Sequence, residues 1–118
     1  MTDIAFKPAT ELVADIKARR IGALELLEHY LARIDKYDGA INAVVVRDFE
    51  RARQRARAAD EALAKGEDWG PLHGLPMTLK ESYNVEGLPT SWGLPMFKDN
   101  IAPAHSVVAQ RFADAGAV

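Results

Sequence analysis

A chain of 118 residues with a formal net charge of −2 has no global attraction for nucleic acid or an anionic membrane, so either role would need a local patch. The absence of cysteine excludes a disulfide framework and any cysteine-ligated zinc site, and fits a reducing compartment. There is no apolar run of about 18 residues to span a bilayer, and Met1-Thr2-Asp3-Ile4-Ala5-Phe6-Lys7 lacks a leader's apolar stretch, so a cytoplasmic protein is expected.

Thr10 is placed to cap a first helix, in which Leu12, Val13 and Ile16 recur at helical spacing and Lys17, Arg19 and Arg20 sit near the negative end of the dipole. Gly22 breaks it. Leu24, Leu27, Leu31 and Ile34 then form one stripe of a second helix from about Ala23 to Lys36, which Asp38-Gly39 ends by turn chemistry. The β-branched run Ile41 to Val46 reads as a strand covered on both faces. From Asp48 the period is helical again. Phe49, Ala52, Ala56, Ala59 and Leu63 make a stripe whose alanines allow close approach to a sheet, and Gly66 is placed to stop it. A short strand, Met77–Lys80, follows, so the outline is a βαβ unit. A helix over 105–115 leads through Gly116 into Ala117-Val118, the opening of another strand.

The chemistry is placed at Lys80. Gly70-Pro71-Leu72-His73-Gly74-Leu75-Pro76 fixes the backbone where its strand begins, and the loop from Ser82 to Ala104 is longer than a compact domain normally tolerates without a role. Ligands bind at the carboxyl ends of strands in such sheets, and Lys80 lies at one. Alternation puts Thr78 and Lys80 on one face and Met77 and Leu79 on the other. A lysine is a general base only when neutral, and holding one neutral near pH 7 takes on the order of 4 to 5 kcal/mol from burial or nearby cations. Trp92, Met96, Phe97 and Ile101 make the loop too apolar for a free tether, so it is expected to pack down as a wall of the site. Trp92, Met96 and Phe97, with Tyr83, are candidates for an apolar acyl or aryl pocket, ordinary loop packing being the alternative.

The stretch from Gly70 to Glu81, followed by Gly87-Leu88-Pro89-Thr90-Ser91-Trp92-Gly93, resembles the N-terminal part of the amidase signature family over nearly the whole chain. The resemblance implies an α/β fold in which N-terminal helices precede the first strands of a mixed sheet covered by helices. It also implies an amide hydrolase with a Ser-cisSer-Lys triad, in which Lys80 matches the lysine. Ser82, Ser91 and Ser106 match neither serine, so residues 1–118 are expected to be the N-terminal part of one amidase domain, its serines downstream of Val118. Such a piece alone is expected neither to hydrolyse amides nor to fold into a fully stable monomer. Glu81 and Ser82 stand where the family more usually has Asp and Asn, and Gly22-Ala23 where it commonly has a Ser or Thr cap.

The expected ligand is a small-molecule amide, with no cofactor, no metal, and no nucleic-acid or membrane partner; a homo-oligomer of the complete protein is left open. Within the family the rival is the glutaminase subunit of a tRNA-dependent amidotransferase, but that class usually carries a Thr-Thr-Cys-Gly-like run where this chain has Thr90-Ser91-Trp92-Gly93. A rival of another class is a non-catalytic binding or assembly segment. Arg47, Arg51, Arg53, Arg55 and Arg57 could bind phosphates, but a solvated face paired with Asp48, Glu50, Asp60 and Glu61 is the stronger reading. His29, His73 and His105 are too scattered for a local metal motif, and His73 reads as a surface-loop residue rather than one lining the site mouth.

Overall fold

The computed structural model describes residues 3–118, so Met1 and Thr2 of the N-terminal stretch lie outside the described residues. In chain order it contains a 3₁₀ turn at Ile4–Phe6, α1 (Ala9–Lys17), α2 (Ala23–Tyr37), a 3₁₀ turn at Asp38–Ala40, α3 (Phe49–Ala64), a 3₁₀ turn at Pro95–Phe97 and α4 (Val107–Asp114). The core forms where α1, α2 and α3 meet, from Leu12, Val13, Ile16, Ala23, Leu26, Leu27, Leu31, Ala56 and Ala59, and Leu75 joins it from the motif before Lys80. Ile16 and Leu26 are fully enclosed. Burial of each such side chain contributes about 1.5–3 kcal/mol. The buried face of α2 is turned from the expected stripe: Leu26 is central, whereas Leu24 and Ile34 are only partly buried.

The ends of the helices depart from local expectation for identifiable reasons. Pro8, not Thr10, occupies the cap position of α1, its carbonyl accepting from Glu11 and Leu12. The stop comes at Arg19, whose φ is 56°, with the Arg20 N–H returning to the Asp15 carbonyl. This left-handed geometry is costly for a non-glycine residue. The Arg19 guanidinium donates to the Leu63 carbonyl in the last turn of α3, where a cation is favoured, which offsets part of that cost.

The start of α2 lacks a side-chain cap of its own, and Asp60 supplies one from α3. Its carboxylate accepts from the Ala23 N–H at 2.7 Å and the Leu24 N–H at 3.1 Å. The place of a side chain on residue 22 is occupied by that carboxylate, since a Cβ there would lie 3.3 Å from an Asp60 oxygen. Asp60 therefore caps a neighbouring helix instead of pairing with the arginines of its own.

The run Ile41–Val46 is not a strand. Ile41 and Val45 are 68% and 59% exposed, and the segment winds around Asp38. The Asp38 carboxylate accepts from the N–H groups of Ala43 (2.8 Å) and Val44 (3.2 Å) and from Arg47 (3.1 Å). Those bonds take up the amides a ladder would use, and the Ala43 bond above all holds this carboxyl below the usual aspartate range. The expected packing of α3 on a sheet is likewise replaced by packing on α2, with Ala56 and Ala59 giving the close approach. Gly66 does end α3, with a φ of 81°.

Among the described residues no strand ladder forms, and the one isolated bridge is antiparallel, Pro89 with Ile101. The expected Met77–Lys80 strand does not form: residues 75–80 carry no regular structure. The base of this segment nevertheless makes two bonds flanking Val118: the Val118 N–H donates to the Leu75 carbonyl (2.9 Å) and the Met77 N–H to the Val118 carbonyl (3.0 Å). That is the bond pattern of a parallel pair.

Removing the trans cap leaves two amides of the first turn of α2 without a partner. Asp60→Ala is expected to destabilise the chain by about 1–2 kcal/mol and Asp60→Asn by less, measured as a shift in the urea unfolding midpoint at unchanged slope.

Candidate active-site segment around Lys80

The approach to Lys80 is anchored at its middle. His73 is fully buried; its Nδ1 accepts from the Trp69 N–H (2.9 Å) and its Nε2 lies 3.0 Å from the Ala59 carbonyl. An Nδ1 that accepts a backbone N–H leaves the ring proton on Nε2, which donates to Ala59. The surface-loop reading of His73 is thus corrected: it bolts the motif to α3. Gly74 follows with a φ of 72°, and a Cβ there would sit 2.8 Å from the Ala23 Cβ and 3.3 Å from Ile16 Cγ2. No other residue fits both that conformation and that gap.

A second set of backbone bonds ties the motif to the C-terminal end of α4. The Leu72 N–H donates to Ala115 (2.8 Å) and the Gly74 N–H to Gly116 (2.9 Å), continuing into the two bonds around Val118. Arg55 reinforces this, donating to the Ala113 and Ala117 carbonyls at 2.7 and 2.6 Å while its guanidinium lies 5.1 Å over the Trp69 ring. Leu75 is buried, and the chain then runs outward to Lys80, which is exposed, as is Thr78 two residues before it. The Lys80 carbonyl accepts from the Tyr83 N–H (3.0 Å), turning the backbone into the loop.

Glu81, next to the lysine, is not marked by its sequence pattern as a holder of the loop. Its carboxylate accepts from the backbone N–H of Ser91 and, at 2.8 Å, from that of Trp92. The Ser91 bond is the main cause of a Glu81 carboxyl held below the usual glutamate range. The loop is closed further back by Thr90 and Asn100, which exchange backbone and side-chain bonds at 2.8 and 2.9 Å, and by paired bonds linking Gly87 and Leu88 to Ala102. Thr90 and Ala102 are buried.

The loop therefore packs down only at its base. At its tip Trp92, Met96 and Phe97 are 69%, 78% and 47% exposed, which corrects the expectation that these residues lie against the rest of the chain as a wall. Two shallow clefts open instead at helix junctions, one lined by Ile16, Arg19, Ile21 and Leu63 and the other by Leu31, Ala32, Phe49 and Arg53. Neither borders Lys80.

The remaining candidates are committed elsewhere. Arg47 pairs with Asp38, Arg51 with Asp48 and the Glu86 carbonyl, Arg53 bidentately with Glu28, and Arg57 lies 3.9 Å from Glu50. His29 approaches Asp3 at 3.5 Å and the His105 Nδ1 accepts from the Glu86 N–H. Among the described residues no three acidic or histidine side chains are grouped as metal ligands, and no helix is long and apolar enough to cross a membrane.

Similarity to known proteins is extensive. The family model described as Amidase matches residues 25–118. The chain is 39% identical over its whole length to the glutamyl-tRNA(Gln) amidotransferase A subunit of Acidothermus cellulolyticus, covering 23% of that protein. It is 40% identical over 110 residues, 93% of the chain, to the indoleacetamide hydrolase of Bradyrhizobium diazoefficiens, covering 21% of it. A bacterial aryl acylamidase of the amidase signature family superposes with a TM-score of 0.89 at 27% identity, over 96% of this chain and 24% of that one. The chain thus spans about a quarter of the length of the curated relatives it matches.

The Glu81 tether has a pH signature whose sign follows from its depressed carboxyl. The tether is present above the ordinary glutamate value and is lost as pH falls through the lower, folded one. The amide proton shifts of Ser91 and Trp92 are expected to titrate together, with a shared midpoint below the usual glutamate range. Titration apart, or at an ordinary glutamate midpoint, would contradict the shared tether.

Proposed function

Because the chain belongs to the amidase family, we propose that it is the lysine-bearing part of an amide hydrolase and that Lys80 is the base of its Ser-cisSer-Lys triad. The observation that carries this reading is Lys80 itself, at the end of a segment whose base is locked by His73, Gly74 and Val118, inside the stretch that matches the family. Leu75–Met77 and Val118 are read as the first rungs of the parallel part of a mixed sheet, giving the α/β architecture.

In this reading the two serines come from the remaining length of a protein about four times as long, as the coverage of the relatives implies. Lys80, exposed among these residues, is proposed to be covered by the remaining length of the protein and there to take a proton through the bridging serine as the nucleophilic serine Oγ attacks the amide carbonyl carbon. The carbon–nitrogen bond breaks, and the relayed proton leaves with ammonia or an amine. Water then cleaves the acyl-serine ester, releasing the carboxylic acid and restoring the serine proton. No metal or organic cofactor enters, and the setting is cytoplasmic. Trp92, Met96 and Phe97 are proposed to meet the acyl group of the substrate, their exposed apolar surface being the supporting observation.

The likeness to the amidotransferase of Acidothermus cellulolyticus favours one second reading, in which the amide is glutamine and the ammonia passes to a partner. The Thr90-Ser91-Trp92-Gly93 run favours the stand-alone enzyme. Hydrolysis of a simple aryl amide by the purified complete enzyme, with no partner protein, is expected from the first reading and not from the second.

Lys80→Ala in the complete enzyme is expected to abolish amide hydrolysis while leaving the circular dichroism spectrum unchanged. Lys80→Arg is expected not to restore it, because a guanidinium does not deprotonate in the working range. Substantial turnover by folded Lys80→Ala enzyme would remove Lys80 from the mechanism.

A further inference from the structure

We infer that Glu81 is a specificity-determining positioning residue: by accepting the backbone N–H groups of Ser91 and Trp92, it ties the apolar loop tip to the residue next to Lys80 and so sets which acyl groups the site admits. The inference rests on the amide-hydrolase reading above and goes beyond it by assigning the control of substrate choice to a residue outside the triad.

Glu81 holds a strained turn. Trp92 has a φ of 57°, a left-handed conformation that a bulky side chain adopts only when its surroundings over-determine it. The turn's own bonds are few: the Gly93 N–H donates to Ser91 Oγ at 3.2 Å and the Leu94 N–H to the Ser91 carbonyl at 2.9 Å. A carboxylate that accepts two successive N–H groups supplies the missing constraint, and bonds to an ionised acceptor are about twice as strong as neutral ones.

The constraint also travels. From Ser91 the bonds run to Leu94, and from the Leu94 carbonyl to the Phe97 N–H at 2.9 Å. Ser91 and Trp92, gripped by Glu81, are thus linked to the 3₁₀ turn that carries Met96 and Phe97. The far side of the loop is closed by Thr90 and Asn100, a pairing that fixes its base but leaves the tip's direction to Glu81. Since Glu81 is bonded directly to Lys80, the tip is referenced to the base's own backbone. A change at this carboxylate moves the apolar surface relative to the reacting carbonyl without touching the proton relay.

The test uses the complete enzyme with two substrates, a short aliphatic amide and a bulky aryl amide. In Glu81→Gln one acceptor oxygen becomes an NH₂ donor facing a backbone N–H, so one of the two bonds and the charge are lost at constant size. The ratio of kcat/KM for aryl over aliphatic amide is expected to fall by about tenfold, the scale of a remodelled apolar pocket, mainly through KM. The kcat for the short amide and the pH profile of its hydrolysis are expected to stay as in the parent. Glu81→Asp, which keeps the carboxylate and is the residue the family more usually carries, is expected to recover most of the ratio. Should Glu81→Gln not fold, Trp92→Gly, which accepts the left-handed turn and removes the indole, reads the same ratio and is expected to lower it. An unchanged ratio, or an equal loss on both substrates, would overturn the inference while the function stands. Turnover by Lys80→Ala measured alongside would instead overturn the function, and the inference with it.

Discussion

Everything in this structure that bears on Lys80 depends on the entry of His73 and Gly74 into the junction of α1, α2 and α3. His73 satisfies two backbone groups, the Trp69 N–H and the Ala59 carbonyl, at the cost of burying a polar ring. Leaving either group unpaired in that setting would cost about 1–3 kcal/mol. Gly74 brings the chain so close to Ala23 and Ile16 that no side chain fits. Together they make an anchored foot, from which Leu75 is buried and the backbone runs out to an exposed lysine. The bonds to Ala115, Gly116 and Val118 then couple this foot to the end of α4.

Carboxylates serve repeatedly as backbone clamps. Asp60 accepts from the N–H groups of Ala23 and Leu24, Asp38 from those of Ala43 and Val44, and Glu81 from those of Ser91 and Trp92. In each case one anion satisfies two consecutive amides that no helix or ladder provides for. The three clamps serve different ends: one starts a helix, one shapes a connection, and one ties the loop after Lys80 back to the residue next to it. For Asp38 and Glu81 these bonds hold the carboxyl below its ordinary range, so the two connections they shape are strongest while those groups are ionised.

Much of the helical framework was legible in the sequence, since a stripe such as Leu12, Val13 and Ile16 reports its own burial through local spacing. The break in the backbone before Lys80 was legible too, because Gly74 and Pro76 punctuate it, although the strand expected over Met77–Lys80 does not form. What escaped was non-local. Nothing near Gly22 announces that its cap lies on α3, and nothing near His73 announces the Ala59 carbonyl. The run Ile41–Val46 has the composition of a buried strand, yet among the described residues its amides turn to Asp38. The apolar loop tip was legible as unusual, but whether it packs or projects depends on partners that composition does not encode.

The central claim is that this foot delivers the Lys80 amine to a reacting serine. The most direct measurement is a crystal structure of the complete enzyme carrying an acyl group on its nucleophile. The account predicts the Lys80 Nζ within hydrogen-bond reach, about 2.6–3.2 Å, of a serine hydroxyl, with His73 still bonded to Ala59 and Trp69. A Lys80 amine lying in bulk solvent, with another residue contacting that serine, would contradict it.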